Sequence, residues 1–392
     1  MTNGPVGGVS GLFDALYEGE DAVVRALRAG APAESSDEDG TTALYLASTL
    51  DLPGSVRLLL AAGADPNRAS GPEAGDLPLC GAACGDHVEV AETLLAAGAE
   101  PDLSEDFGFT ALRWAAGLGH ARVAEVLLAH GADPDLPGPH DEALLVVAAR
   151  RGSTETVRAL LRHGARALSP ALEEARRMLT LDVAAELRGT LLRAYGDEGH
   201  TCAVRRAPQD GGVTVTAELL RDGEVFASHD QQTGHGAIAT LLELELGLRA
   251  PYEELAVRAL RGGGPGLDNW LVTVGALWLR GDEETFQAAA AWTASEDPLR
   301  RAFGADVLAR LGFRTVDRPF AARAVPLLRE LAAAPDPLPA DAAARALRGY
   351  EAAPGQYGQE SAPGHDGQYG QESAPGHEED HGQEAAPGPE GR

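Results

Sequence analysis

The chain of 392 residues has a formal net charge of -28 and 44% hydrophobic residues, enough apolar material for a sizeable core but no means of neutralising phosphate backbones or anionic membranes. No segment reaches the roughly 18 consecutive apolar residues of a spanning helix, and the opening MTNGPVGGVSGLFDALYEGE is neither cationic nor hydrophobic, which points to a cytoplasmic protein. Cys80, Cys84 and Cys202 are too few for a secreted disulfide framework; that all 32 basic residues are Arg, with Ile238 the one Ile, suggests a GC-rich bacterial genome.

The first element, LFDALYEGEDAVVRALRAGAP from Leu12, is a shortened copy of four longer blocks. These are TALYLASTLDLPGSVRLLLAAGADPN from Thr42, LPLCGAACGDHVEVAETLLAAGAEPD from Leu77, TALRWAAGLGHARVAEVLLAHGADPD from Thr110 and ALLVVAARRGSTETVRALLRHGAR from Ala143. Their Gly-Ala pairs fall at Gly30, Gly63, Gly98, Gly131 and Gly164, a period of about 33 residues that marks a repeat protein. Thr42 and Thr110 are placed to cap a first helix, Pro78 falls where a missing N–H costs nothing, and each Gly suits the positive φ at the end of a second helix. Ala82/Ala83 and Ala115/Ala116 permit close helix approach, while Leu94/Leu95 and Leu127/Leu128 fill the space between repeats.

These blocks resemble the ankyrin repeat, T-P-L-H-x-A-A-x-x-G-H followed by an apolar helix ending L-L-x-x-G-A-D-x-N, over residues 9–166. The resemblance implies paired helices with projecting hairpins. Leu77 and Ala143 depart from it by replacing the capping Thr, Asp141 replaces the turn Gly kept at Gly40, Gly75 and Gly108, and Ser70 to Gly75 lengthen one hairpin.

Residues 167–198 read as a helical connector, with Leu172, Ala175, Met178 and Leu179 on one face and Ser169 as its cap. Within 199–250, HTCAVRRA, VTVTAELL and EVFASHD have strand composition and are separated by Asp-Gly turns, which predicts a three-stranded antiparallel meander. The helix HGAIATLLELELGL is then expected to cover that sheet through Ala237, Leu241, Leu244 and Leu248. Residues 251–350 are helical again, with Asp297-Pro298 recurring as Asp336-Pro337, and the unit they open resembles a HEAT repeat. From Glu351, GQYGQESAPGH occurs twice in a stretch with few apolar groups, expected to be disordered. The fold class is therefore mainly all-α: an ankyrin solenoid, a small α+β middle module, a HEAT-like array and a disordered tail.

Two constellations invite chemistry. Cys80, Cys84 and His87 have a spacing that could present a metal site, but in the repeat register they fall at ordinary structural positions. Cys202 with His200, His229, Asp230 and His235 could form a thiol–imidazole nucleophile, although hairpin ends commonly collect such residues. Gly262-Gly263-Gly264 lacks the Gly-Lys ending of a phosphate loop, and Trp114, Trp270, Trp278 and Trp292 lie in helical patterns that suit core packing. No catalytic residue, metal or cofactor is expected.

Repeat arrays present extended surfaces, so the expected function is a monomeric, non-enzymatic adaptor that binds a protein partner and neither nucleic acid nor membrane. The ankyrin resemblance implies binding through hairpin tips and the concave face of the first helices. Carried over by position, these are Glu38, Asp39 and Thr41 with Thr49 and Leu50; Glu73, Ala74 and Asp76 with Cys84; Asp106, Phe107 and Phe109 with Leu118; and His140 with Arg150 and Arg151. Early fingers are acidic and the last is basic, with Phe107, Phe109 and Arg151 as expected energetic anchors. The alternatives are a ligand-binding or Cys/His enzymatic middle module regulated by the repeats, and an acidic mimic that competes for basic partner sites.

Overall fold

A computed structural model describes residues 8–71, 75–196, 199–312 and 319–351; Glu73, Ala74 and the low-complexity tail lie outside them. The described residues form nineteen α-helices and one three-stranded sheet.

Five helix pairs come first: α1 (Gly8–Glu18) with α2 (Glu20–Arg28), α3 (Ala43–Thr49) with α4 (Pro53–Ala61), α5 (Pro78–Cys84) with α6 (Val88–Ala96), α7 (Ala111–Leu118) with α8 (Ala121–Ala129), and α9 (Leu144–Arg151) with α10 (Thr154–Arg162). First helices stack in one row and second helices in another. The local signals act as expected: Thr42 and Thr110 accept the N–H groups of Tyr45 and Arg113, each at 3.2 Å, and α5 starts on Pro78. Gly30, Gly63, Gly98, Gly131 and Gly164 all take positive φ, between 88° and 97°. Asp141, which replaces a turn Gly, adopts the same region at 58°. Ala82, Ala83, Ala115, Ala116, Leu94 and Leu127 are fully buried.

The repeated Gly-Ala-Asp-Pro tract also ties one repeat to the next. Asn67, Asp102 and Asp135 accept the backbone N–H groups of Glu100, Asp133 and Arg166 at 2.8, 3.0 and 2.9 Å. Loop amides that would need water are thus satisfied by the preceding repeat. The histidines after the first helices work likewise: His87 bonds the Thr49 carbonyl at 3.1 Å and His120 the Ala83 carbonyl at 2.9 Å.

The first-helix row continues past the repeats through α11 (Leu168–Leu179), α13 (His235–Glu245), α15 (Asp268–Arg280), α17 (Pro298–Leu311) and α19 (Pro337–Glu351). Ala167, not Ser169, precedes α11, so Ser169 is already in its first turn and caps nothing. Helices α14 (Tyr252–Leu260), α16 (Glu283–Thr293) and α18 (Ala321–Ala332) lie against the later members of the row, around a second core that includes Trp270, Trp292 and Phe303. Trp278, expected in a core, is 39% exposed and takes no part in the second core.

Helix α12 (Val183–Tyr195) leaves the rows to cover the sheet. Strands β1 (Thr201–Gln209), β2 (Gly212–Arg221) and β3 (Glu224–Gln232) pair antiparallel in the order β1-β2-β3. Both turns are Asp-Gly, with φ of 48° and 76° at Asp210-Gly211 and 54° and 86° at Asp222-Gly223, the geometry of two-residue type I′ hairpins. Leu187 and Leu191 of α12 pack on Val215, Ala217 and Leu219. The expectation that α13 covers the sheet is overturned: Leu244 and Leu248 are exposed, while Ile238, Ala239 and Leu242 join the repeat core. The buried stripe of α13 is therefore displaced around the helix from the expected one.

The end of β3 is joined to the end of α9. Gly234 N–H bonds the Gly152 carbonyl at 3.0 Å, and Gln231 and His235 side chains bond the Arg150 carbonyl at 2.8 and 3.1 Å. The unpaired terminal carbonyls of α9 are thus capped by a segment distant in sequence. Gly152 has φ 78°, and a Cβ there would lie 2.3 Å from the backbone oxygen of Gln232. Gly152→Ala should destabilise the protein by about 2 kcal/mol and open this seam, read as a lower urea midpoint with new protease cleavage around β3; an unchanged midpoint would count against the contact.

Candidate partner-binding groove

Three hairpins project from the first-helix row, each closed by a single antiparallel bridge: Ser36 with Thr42, Ser70 with Asp76, and Ser104 with Thr110. The first two are tied by a Gly71 N–H to Gly40 carbonyl bond of 3.1 Å and a Thr42 N–H to Ser70 Oγ bond of 2.8 Å. The first hairpin is shaped internally by Asp37, whose carboxylate accepts the N–H groups of Asp39 and Thr41 at 3.0 and 2.8 Å. Glu38, Asp39, Asp76 and Asp106 are exposed.

Between these hairpins and helices α3, α5 and α7 lies a cavity of about 350 Å³, lined by Tyr45, Thr49, Asp76, Gly81, Cys84, Gly85, Glu105 and Trp114. Thr49, Asp76 and Cys84 belong to the expected set. Tyr45, Glu105 and Trp114 do not, although Tyr45 and Trp114 sit four residues before Thr49 and Leu118, one turn back on the same helical faces. Helical spacing alone is a sufficient signal for those two.

Glu105 organises the groove. Its two oxygens accept the Leu77 N–H at 2.9 Å and the Trp114 indole N–H at 2.8 Å, so one carboxylate caps α5 and orients an aromatic ring of α7. Phe109 packs on that ring, centroids 4.9 Å apart, and is half-buried rather than presented to solvent. The side chain of Phe107 lies outside the described residues. Burial, then the charges of Asp76 and Glu105, push the Tyr45 hydroxyl up to about 12; burial and Glu105 push Cys84 up to about 11. Cys80, deeply buried, is raised further by the same causes. Both thiols of the helix are protonated at neutral pH, unlike a ligand or nucleophile thiolate.

Other expected contacts are placed differently. Leu50 is 39% exposed, Leu118 is half-buried, and His140 is exposed in a left-handed turn with φ 57°. Arg150 bonds Glu142 at 2.6 Å and Glu174 at 2.7 Å, while Arg151 bonds the Asp230 carboxylate at 2.5 Å and its carbonyl at 2.7 Å. The basic end of the expected gradient is therefore engaged within the chain, and Arg151 is a clamp on β3 rather than an open anchor. The acids are not neutralised in this way: among the described residues, Asp76, Glu105 and Asp106 make no ion pair.

The Cys/His groups do not converge. Cys80 is buried, Cys84 faces the groove, and His87 is engaged by Thr49. Cys202 lies in the α12–sheet contact, His200 packs on Phe226 with centroids 5.0 Å apart, Asp230 holds Arg151, and His235 is buried beneath the end of α9. Among the described residues no group of three His, Cys, Asp or Glu is arranged to hold a metal, and no helix is long and apolar enough to cross a membrane.

Comparison with known proteins agrees with the geometry of the paired helices. A family model of ankyrin repeats in three copies matches residues 55–138 and 79–171, and the single ankyrin repeat model matches residues 39–70. No curated protein matches the chain. Stacked helix pairs, projecting hairpins and these matches together identify residues 39–171 as ankyrin repeats, a protein–protein interaction module.

Proposed function

We propose that the protein is a non-enzymatic adaptor whose ankyrin groove, between the first three hairpins and α3, α5 and α7, holds a segment of a partner protein. The observation that carries this reading is a cavity with aromatic walls and unneutralised carboxylates, Asp76 and Glu105, on the hairpin side of an ankyrin array. Asp39 and Asp106 extend the negative field along the hairpins and favour a cationic segment through faster encounter and partner choice. Helices α14 to α19 offer a second surface. Their HEAT-like reading is supported by Asp297, which accepts the Leu299 N–H at 2.9 Å at the start of α17, and by Arg301, which pairs with Asp336 at the next Asp-Pro.

Cys84 gives direct access for a test, because it is the exposed cysteine. A photo-crosslinker on Cys84 in a Cys202→Ser background should capture one protein from bacterial lysate, and Tyr45→Ala should abolish the adduct. Adducts indifferent to Tyr45→Ala would take the groove out of the interface. With the captured partner, Phe107→Ala/Phe109→Ala should weaken binding about tenfold, since Phe109 supports Trp114; full affinity in that variant would remove both rings from the interface.

A further inference from the structure

We propose that the groove recognises an arginine side chain of the partner, with its guanidinium seated between the rings of Tyr45 and Trp114 and paired with Asp76. This rests on the groove reading above and names the chemistry of its anchor. Shape is the first argument. Gly81 lets the walls close in: a Cβ there would lie 2.8 Å from Thr49 Cγ2 and 3.2 Å from the Tyr45 ring, so the glycine allows Thr49 and Tyr45 to pack directly on α5 and fixes the Tyr45 ring as one wall. The resulting volume of about 350 Å³ suits a side chain and its immediate backbone.

The walls supply the second argument. Trp114 is held by Phe109 on one side and by its 2.8 Å bond to Glu105, so its face is oriented before anything binds. Aromatic faces attract cations, and a preoriented ring loses little freedom when one arrives. Charge is the third. Asp76 has no ion pair among the described residues, and the nearby arginines are engaged elsewhere: Arg113 with Glu142, Arg150 with Glu142 and Glu174. Burial, then Asp76 and Glu105, raises the Tyr45 hydroxyl, and burial, then Glu105, raises the Cys84 thiol, which agrees with a negative cavity.

Arginine fits this combination better than lysine. Its guanidinium is planar, weakly hydrated and able to stack on a ring while its edge meets a carboxylate, whereas an ammonium is a compact and strongly hydrated point charge. A metal ion fits poorly, because two of the walls are aromatic and the one thiol in the cavity, Cys84, is protonated.

The chain has four Trp, so its indole N–H resonances form a simple spectrum in which Trp114→Phe identifies the reporter. L-argininamide, titrated at constant ionic strength, should shift the Trp114 resonance saturably. L-citrullinamide, close in shape and with the same α-amine but an uncharged side chain, and L-lysinamide should each bind at least about tenfold more weakly, and Asp76→Asn should weaken argininamide by a similar factor. An unmoved Trp114 resonance, or citrullinamide or lysinamide matching argininamide, would overturn the proposal. If Cys84 adducts depend on Tyr45 while argininamide leaves Trp114 unmoved, the groove reading stands and the arginine anchor falls.

Discussion

Arg258→Ala is expected to destabilise the protein by about 3–5 kcal/mol, because it breaks a buried ion pair and strands one of its charges. Arg258 and Glu243 are only 2% and 3% exposed at their side chains, and they meet through two bonds of 2.6 and 2.8 Å between α14 and α13. Arg176 of α11 reaches the same carboxylate at 2.7 Å, and Glu254 pairs with Arg258 from the rim, so three helices are joined at one point. Burial alone would raise the Glu243 carboxyl, but the two guanidinium groups outweigh it and hold the group below its ordinary range. Removing Arg258 leaves a buried carboxylate with only the half-exposed Arg176 as partner. Arg258→Met combined with Glu243→Leu should recover most of the loss, because an apolar pair needs no compensating charge. Urea denaturation distinguishes the cases. A single variant within about 1 kcal/mol of the parent, on the order of a surface pair, would mean that the charges reach water.

The second large effect is a loss of stability in mild acid. His235 is 2% exposed, and burial pushes its pKa down to about 4, with the Arg261 and Arg177 charges acting in the same direction against the Arg150 carbonyl and Glu174. A histidine with a depressed folded pKa contributes stability above its unfolded value of 6.5 and loses it as pH falls toward 4, where the unfolded chain takes up a proton that the native seam refuses. The difference corresponds to about 3 kcal/mol between those limits, at about 1.36 kcal/mol per unit. His235→Gln keeps a donor for the Arg150 carbonyl without a titrating ring. Wild-type stability should therefore fall relative to this variant as pH drops from 6.5 to 4. Parallel pH profiles would place His235 in contact with water.

The same seam shows why part of the candidate site is not legible in the sequence. Arg151 reads as an ankyrin-face cation, and its partner Asp230 is 79 residues away on a strand of a different element. Nothing local predicts that contact, because an ion pair depends on distance in space. Trp114 sits in a helical pattern that suits a core, yet its bond to Glu105 and contact with Phe109 place it on the groove wall. Phe109 is the reverse case, an expected exposed anchor that is a half-buried support.

Where the chain uses short-range chemistry, the residues themselves suffice. Gly at the second-helix ends, Thr42, Thr110 and Pro78 at helix starts, and Asp-Gly between alternating strands each act within a few residues, through φ limits and unpaired backbone groups. These determined the ankyrin pairs and the meander. Only the tertiary structure decided that α12 rather than α13 covers the sheet, that α13 extends the repeat core, and that the basic end of the groove is engaged while its acids remain unpaired. The reason is physical: an amphipathic helix specifies that one face must leave water, but apolar burial has no direction and does not specify which partner provides it.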